Sequence, residues 1–254
     1  ITADTNDEIG QLCVSINHMA DELSTAESMK NEFISSVSHE LRTPLTAIKG
    51  WAETINADND AETTKKGIRV IVSETERLSQ MVEELLDFSR MQNGKFSLQM
   101  STIDILAELE DAILIYAEKA KHENITMLYN SPEMLPFICG DKNRLRQVFI
   151  NIIDNAIKYS SCGDRKCVIK INAAQQDDNY ICISIEDNGC GISAADLPKI
   201  KTKFYKANHT KRGSGIGLAV ADEIVAMHRG QLDIMSEENV GTTVNIRLPI
   251  ETKS

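Results

Sequence analysis

Residues 38–45 read Ser-His-Glu-Leu-Arg-Thr-Pro-Leu, and they lie within a long run of helical apolar spacing. The apolar residues on either side recur at steps of three and four, which predicts one buried stripe made of Phe33, Val37, Leu41, Leu45, Ile48, Ala52 and Ile55. His39 is two positions from both Val37 and Leu41, so at about 100° per residue it points roughly 200° away from the stripe. The pattern therefore predicts a long helix that presents His39 to solvent.

Three neighbours distinguish His39 from an ordinary surface histidine. Glu40 is adjacent in sequence, and Thr43 lies one helical turn further on. Pro44 removes a backbone donor and is expected to bend the helix just past this point. A lone helical histidine is most often a core or surface residue, but the matched acidic and hydroxyl neighbours favour a chemical role for His39.

A second amphipathic helix follows the first. Residues 56–60 form a polar break, and Asp60 suits the N-cap of the next helix. The apolar positions of that helix are Ile68, Ile71, Val72, Thr75, Leu78, Val82, Leu85, Leu86 and Phe88, and it is expected to end near Asn93 and Gly94. Because a helical hairpin cannot bury its apolar stripe alone, we expect two copies to form a homodimeric four-helix bundle.

The segment before the first helix carries a coiled-coil pattern. Its apolar residues alternate steps of three and four: Ile9, Leu12, Ile16, Met19, Leu23 and Ala26. Such a seam also requires a partner helix, which agrees with a dimer.

From Lys95 onward the sequence alternates between strand and helix patterns. Strands are predicted over residues 96–99, 126–129, 168–173, 180–186, 231–236 and 242–248, and helices over residues 103–121, 142–160 and 214–228. This order predicts an α+β sandwich with its helices on one side of a mixed sheet. The fold class is therefore a helical hairpin domain followed by an α+β domain.

The net charge, the apolar runs and the cysteines limit which classes of function we expect. A formal charge of -11 over 254 residues makes nucleic acid an improbable partner, since a phosphate backbone would be repelled. No run approaches the ~20 consecutive apolar residues of a membrane helix, so we expect the chain as given to be soluble. The six cysteines have no zinc-ligand spacing and are expected to be reduced thiols.

Polar residues on the helix predicted over 142–160 suggest a ligand site. Asn151, Asn155 and Lys158 are stepped by four and three, opposite the apolar positions of that helix. Two amides and an ammonium on one face suit a magnesium ion with attached phosphates. The alternative is a solvated polar face.

Two glycine clusters follow. Asp187 ends a predicted strand and can accept a hydrogen bond from an exocyclic amine, and Gly189 and Gly191 allow close backbone approach. The alternative for these two glycines is a tight turn. Further on, Gly213, Gly215 and Gly217 precede a helix N-terminus, where backbone N–H groups favour phosphates. A basic segment, residues 203–212, leads into them.

Four motifs together resemble the sensor histidine kinases of two-component signalling. They are residues 38–45, Asn-Ile-Ile-Asp-Asn-Ala-Ile-Lys-Tyr at 151–159, Asp-Asn-Gly-Cys-Gly at 187–191 and Gly-Ser-Gly-Ile-Gly-Leu at 213–218. The resemblance covers nearly the whole chain. It implies a dimerisation and histidine-phosphotransfer domain over residues 29–94 and an ATP-binding domain over residues 95–254, of the fold shared with gyrase and the Hsp90 chaperones.

The resemblance also implies residue roles. His39 would accept a phosphoryl group, with Glu40 holding its ring N–H and Thr43 orienting a water molecule for regulator dephosphorylation. In the ATP site, Asn155 would bind magnesium and Asp187 would select adenine. The other implied nucleotide contacts are Asn151 in support of the magnesium ligand, Lys158 on phosphate, Tyr159 beside the base, and Gly189, Gly191, Lys206, Gly213, Gly215, Gly217 and Leu218.

The basic segment departs from the family pattern at the implied ATP lid. Lys206 stands where the family has an arginine, and lysine lacks the planar two-pronged guanidinium. Lys201 stands where an aromatic residue is common, and only six residues separate Lys206 from Gly213. These departures bear on lid closure and turnover rather than on nucleotide binding.

The first 28 residues resemble the end of a HAMP linker. The resemblance rests on Asp-Glu-Ile-Gly at 7–10 and Asn-His-Met at 17–19. It implies that the chain is the cytoplasmic part of a membrane-anchored protein, attached through segments upstream. The implied partner is a response regulator with an acceptor aspartate. Two alternatives stay open: an ATPase or serine kinase with the same nucleotide fold, and a dimeric scaffold that binds ATP without catalysis.

Overall fold

The computed structural model describes residues 7–57, 60–92, 96–160, 165–202, 205 and 215–250. The described chain divides into two compact units, one ending at Met81 and the other beginning at Val82. No helix in these ranges combines the length and hydropathy that a bilayer crossing requires. Cys13, Cys139, Cys167, Cys182 and Cys190 are free thiols, as expected, while Cys162 lies outside the described residues.

The first unit is built from one helix and the larger part of a second, whose residues from Val82 onward belong to the second unit. Helix α1 spans Glu8–Ala57 and helix α2 begins at Ala61 and continues to Gln92, so the predicted break between them is confirmed. Asp60 caps α2 as predicted, because its Oδ2 accepts a hydrogen bond from the Thr63 backbone N–H at 2.8 Å. Pro44 is buried inside α1, which continues past it without interruption. The predicted end of α2 near Asn93 lies outside the described residues.

Close packing within this unit occurs at Gly67 of α2. A Cβ atom there would lie 2.7 Å from Ile55 Cδ1 and 2.9 Å from Trp51 Cε3, both on α1. Other apolar residues of the predicted stripes are exposed: Leu45, Ile68 and Val72 all have at least half of their surface accessible. A single copy of the hairpin therefore leaves apolar surface in contact with water.

The second unit contains the remaining elements. In chain order they are β1 Ser101–Ile103, α3 Ile105–His122, β2 Thr126–Asn130, β3 Ile138–Gly140, α4 Lys142–Ser160, β4 Val168–Gln175, β5 Tyr180–Asp187, a 3-10 helix Leu197–Lys199, α5 Gly217–Met227, β6 Gln231–Glu237 and β7 Gly241–Pro249. The main sheet has the order β2-β4-β5-β7-β6, with β2 and β4 parallel and the other pairs antiparallel. Strands β1 and β3 form a separate antiparallel pair.

One face of the main sheet forms the core. Alternate residues of its central strands are buried, as in Ile169 and Ile171 of β4 and Ile183 and Ile185 of β5. Helices α3, α4 and α5 lie against the sheet, and Phe149 of α4 is fully buried. The predicted α+β sandwich with helices on one side of a mixed sheet is thus confirmed.

Some predicted boundaries are wrong. Residues 96–99 are not a strand, because the Gln99 N–H binds the Asp141 side chain at 2.8 Å, and the strand β1 lies just beyond. Helix α3 starts at Ile105 rather than Ile103, since Asp104 caps it by accepting from the Leu106 N–H at 3.0 Å. Strand β3 was not predicted, and α5 begins at Gly217.

A buried histidine fixes the start of α4. Asp141 caps α4 as predicted, accepting at Oδ1 from the backbone N–H groups of Asn143 and Arg144 at 3.1 and 3.2 Å. The Asp141 N–H donates to Nε2 of His228 at 2.9 Å, and Nδ1 of His228 lies 2.7 Å from the Ile224 carbonyl. Because a carbonyl can only accept, the proton of this ring lies on Nδ1.

Candidate functional site

The first candidate site lies on α1. His39 is exposed, so the predicted solvent-facing position is confirmed within a single copy of the chain. Thr43 Oγ1 donates a hydrogen bond to the His39 carbonyl at 3.2 Å, a contact that many helical threonines make. The described contact of Thr43 is therefore a backbone one.

Glu40, beside His39, is held by a residue from the other helix. Arg77 Nη2 of α2 lies 3.2 Å from Glu40 Oε2, and Arg77 Nη1 lies 3.5 Å from Glu74 Oε2. The Arg77 and Glu40 side chains are only 26% and 16% exposed, so water screens their pairing weakly. Sequence reasoning did not find Arg77, because a partner 37 residues away leaves no local pattern.

The second candidate site is at the end of β5. Asp187 pairs across the sheet with Thr242 of β7 and is buried, and its Oδ1 accepts from the Gly189 N–H at 2.9 Å. Burial raises the pKa of Asp187 to about 6, although the hydrogen bonds from Gly189 and Thr242 act in the opposite direction. A carboxylate in this position can accept a hydrogen bond from an amine.

Gly189 and Gly191 are required by the protein's own backbone. A Cβ atom on Gly189 would lie 2.2 Å from the Tyr159 carbonyl oxygen, and one on Gly191 would lie 1.9 Å from that of Glu237. Gly191 also has a φ of +63°, which favours glycine. The φ of Gly191 agrees with the tight-turn alternative, whereas the contacts with Tyr159 and Glu237 come from tertiary packing.

The polar face of α4 is only partly solvated. Asn151 is buried, and its Nδ2 donates to the carbonyl of Gly217 at the start of α5 at 3.1 Å. The solvated-face alternative is therefore wrong for Asn151, whose amide links two helices. Asn155 and Lys158 are half-buried.

Tyr159 connects α4 to the β5 end. Its backbone carbonyl accepts from the Cys190 N–H at 3.1 Å, and Lys158 Nζ lies 5.3 Å from the centre of its ring. Burial raises the pKa of the Tyr159 hydroxyl, and Cys190 and Asp154 act in the same direction. Tyr159, Gly189 and Asp187 thus form one continuous set of contacts.

The glycine segment before α5 is described in part. Gly215 has a φ of +69°, Gly217 is the first residue of α5, and Leu218 is half-buried. Lys206 and Gly213 lie outside the described residues, and so does most of the predicted basic segment.

Three unpredicted polar contacts involve Lys201, which precedes the predicted basic segment, and Tyr205, which lies within it. Lys201 Nζ lies 2.9 Å from Asp222 Oδ1 on α5 and also contacts the Leu232 carbonyl of β6. The Tyr205 hydroxyl donates to Asp196 at 2.5 Å. Lys201 therefore makes polar contacts at the position where an aromatic residue is common in the resembled family.

The side chains of this site offer too few oxygen ligands for a metal ion unless a bound ligand supplies more. No cluster of three or more His, Cys, Asp or Glu side chains that could hold a metal exists within the described ranges. Magnesium prefers oxygen ligands and usually keeps waters or phosphates in its coordination shell. The half-buried Asn155 offers one amide oxygen, which fits an ion that arrives together with nucleotide phosphates.

Two family models match the chain. Residues 29–94 match the His Kinase A (phospho-acceptor) domain, and residues 140–252 match the histidine kinase-, DNA gyrase B-, and HSP90-like ATPase. The first match contains His39, and the second contains α4, Asp187 and the segment that enters α5.

Similar proteins are sensor kinases. BaeS, a signal transduction histidine-protein kinase of Escherichia coli strain K12, is 28% identical over 255 residues, which cover 99% of this chain and 53% of BaeS. The sensor protein kinase WalK of Staphylococcus aureus is 34% identical over 245 residues, which cover 94% of this chain and 58% of WalK. The chain thus spans about half the length of the curated relatives it matches.

Solved structures of this kind share the fold. The histidine kinase ThkA, solved in complex with the response regulator protein TrrA, superimposes with a TM-score of 0.65 at 24% identity, covering 91% of this chain and 64% of ThkA. Full-length ShkA in complex with AMPPNP gives 0.65 at 25% identity, covering 87% of this chain and 46% of ShkA.

Proposed function

Because the chain belongs to the sensor histidine kinases of two-component systems, we propose that it transfers the terminal phosphoryl group of ATP to His39. The observation that carries this proposal is the exposed imidazole of His39 on α1, in a chain that also has the ATPase fold. From His39 the phosphoryl group would pass to an aspartate of a response regulator.

The chemistry at His39 is a displacement at phosphorus. A neutral imidazole has a lone pair on one ring nitrogen, which forms the N–P bond while the bond to the bridging oxygen of ADP breaks. The proton on the other ring nitrogen would be held by the Glu40 carboxylate, which stabilises the positive ring that forms. Positioning and electrostatics supply most of the catalysis in such transfers.

The second unit would hold the nucleotide. The buried Asp187 carboxylate would accept from the exocyclic amine of adenine and so select ATP over GTP. Asn155 would bind magnesium, which neutralises phosphate charge when bound. Asn151 would support this by fixing the start of α5. Gly215 and Gly217 at that helix start would then contact the phosphates through their backbone N–H groups. Lys158, Lys206 and Gly213 are proposed phosphate contacts.

The proposal includes the binding partners of the chain and its attachment to a membrane. The exposed Leu45, Ile68 and Val72 support a homodimer through the hairpin. The ThkA–TrrA complex supports a response regulator as partner, and Thr43 would assist regulator dephosphorylation. The HAMP-like first 28 residues and the greater length of the relatives support a membrane-anchored protein of which this chain is the cytoplasmic part.

The proposal is tested by incubation with ATP labelled at the terminal phosphate. Wild-type protein should take up label that is stable to base and labile to acid, as phosphohistidine is. The His39→Ala protein should take up none. His18→Ala is the matched control, since His18 is another exposed histidine of α1, and it should be labelled normally.

Three other results would contradict the proposal, and each would indicate a different function or a different acceptor residue. Acid-stable label would indicate a serine kinase. Wild-type protein that binds ATP but takes no label would indicate a non-catalytic scaffold. Label that persists in His39→Ala would contradict His39 as the acceptor.

A further inference from the structure

We propose that Arg77 of α2 is a positioning residue for His39 phosphorylation, acting through the carboxylate of Glu40. The inference rests on the proposed function, because it assigns the group that places Glu40 beside the reacting ring. Its basis is the contact between Arg77 Nη2 and Glu40 Oε2 at 3.2 Å, which joins the two helices of the hairpin.

Glu40 needs an external restraint. Residues adjacent on a helix point about 100° apart, so the backbone alone does not aim the Glu40 carboxylate at the His39 ring. A glutamate side chain also has several rotatable bonds, and an unheld carboxylate would sample many positions. Arg77 reduces this freedom by binding one carboxylate oxygen.

The geometry leaves Glu40 able to act. A carboxylate has two oxygens and about four acceptor positions, so binding the guanidinium through Oε2 is compatible with accepting an imidazole N–H as well. The pair is charge-assisted and mostly shielded from water, which makes its geometry more specific than that of an exposed ion pair.

Arg77 is itself held from a second side. Glu74, three residues earlier on α2, lies 3.5 Å from Arg77 Nη1 and is also mostly buried. The guanidinium is therefore placed between two carboxylates, one on each helix of the hairpin. Metal ligands in proteins are oriented in a similar way by hydrogen bonds from residues behind them. Loss of such a hydrogen bond typically lowers activity about 10- to 100-fold.

The test is a double-mutant cycle on the labelling rate. Arg77→Met keeps the packing of the side-chain stem and removes the guanidinium. At saturating ATP it should lower the rate of His39 labelling about tenfold, with an unchanged KM for ATP. Arg69→Met is the matched control, because Arg69 is an exposed arginine of the same helix, and it should label at the wild-type rate.

The second arm uses Glu40→Gln. If Arg77 acts through the Glu40 carboxylate, Arg77→Met should cause no further loss in a Glu40→Gln background. A merely structural ion pair would leave the kcat of folded protein unchanged, so thermal unfolding is measured beside the rates.

Four results would overturn the inference. They are an unchanged rate in Arg77→Met, a faster rate, a full further loss in the Glu40→Gln background, and failure of both Arg77→Met and Arg77→Ala to fold, which would mean that Arg77 serves stability. Wild-type protein without label on His39 would contradict the proposed function and the inference together.

Discussion

Asp187 is a buried carboxylate in the candidate nucleotide site, and its burial disfavours the charged form. The free carboxylate is buried, and the raised pKa means that the folded state binds a proton more tightly than the unfolded state does. Between the ordinary value of 3.8 and about 6, the folded state therefore loses stability as the pH rises. A ligand that donates to the carboxylate would offset this cost.

The first prediction concerns Asp187→Asn. The amide keeps an acceptor for the Gly189 N–H but carries no charge. At pH 7 its free energy of unfolding should exceed that of the wild type by up to about 3 kcal/mol, while ATP affinity falls at least about tenfold. Urea unfolding between pH 4 and pH 8 measures the first effect, and nucleotide titration measures the second.

The pH profile provides the control. The wild-type protein should lose stability from pH 4 to pH 6, and Asp187→Asn should lack that loss. Asp178→Asn, a change at an exposed turn residue, should behave as the wild type does. Parallel profiles for wild type and Asp187→Asn would show that the burial of Asp187 costs no stability.

Single residues show where sequence reasoning reached its limit. Gly189 and Gly191 were predicted to allow close backbone approach to a ligand, with a tight turn as the alternative. The structure adds a third reason for glycine, because the Tyr159 and Glu237 carbonyls would lie 2.2 and 1.9 Å from Cβ atoms at these positions. Those chain crossings depend on tertiary packing, which a local pattern does not contain.

At the scale of elements, α4 joins the parts of the second unit. Its apolar side packs on the sheet, its first turn is capped by Asp141, and its last residues contact the β5 end. Asn151 adds a direct link from α4 to the first turn of α5. The entry of α5 is thus fixed by a side chain of another helix.

The second prediction tests this link. Asn151→Ala removes a buried hydrogen bond and leaves a small gap, so the free energy of unfolding should fall by about 1 to 3 kcal/mol. ATP affinity should fall as well, since the start of α5 loses its support. Chemical denaturation and nucleotide titration measure the two effects.

Asn143→Ala serves as the matched control. Asn143 is an exposed asparagine in the first turn of α4, and its replacement should change stability by less than about 0.5 kcal/mol. An Asn151→Ala protein as stable as this control would show that the α4–α5 link contributes nothing.

Long periodic elements were predictable and short ones were not. The helix at 142–160 was predicted with its observed ends, because a cap and a continuous apolar face define it. The three-residue strand β3 has too few residues for a period to show, and its pairing with β1 depends on contacts far along the chain. The predicted strand at 96–99 failed for the same reason, since its backbone partner is the Asp141 side chain.

At the scale of the whole molecule, the exposed apolar surface of the hairpin supports the proposed homodimer. Leu45, Ile68 and Val72 are at least half exposed in one copy, a surface that a second copy could cover. The proposed dimer contact lies in the helical unit and the proposed nucleotide site lies in the α+β unit, so we expect one to be changed without the other.

The third prediction separates these two properties. Val72→Glu places a charge in the proposed dimer interface, where burial without a partner costs several kcal/mol, so the dimer dissociation constant should rise at least about 100-fold. ATP affinity should stay at the wild-type value. Sedimentation equilibrium measures the first quantity.

Lys65→Glu is the control for added charge, because Lys65 is an exposed polar residue of the same helix, and this variant should remain dimeric. A Val72→Glu protein with the wild-type dissociation constant would place the dimer contact elsewhere.

The order of the helical hairpin and the α+β domain could be read from the sequence, but long-range side-chain partners could not. The pairs Arg77–Glu40 and Lys201–Asp222 join residues that are 37 and 21 positions apart. Arginine and lysine are common on helices and turns, so the residues next to them in sequence do not indicate which carboxylate each one binds. Only the folded arrangement identifies these partners.

Helix α1 continues without a break from Glu8 past His39, so one rigid element connects these two residues. With a rise of 1.5 Å per residue, Glu8 and His39 are about 46 Å apart along one shaft that has no loop to absorb torque. A rotation of the helix about its axis at Glu8 would therefore reach His39 without crossing a loop. Adding one residue between them would rotate His39 relative to Glu8 by about 100°, whereas adding seven would nearly restore its direction.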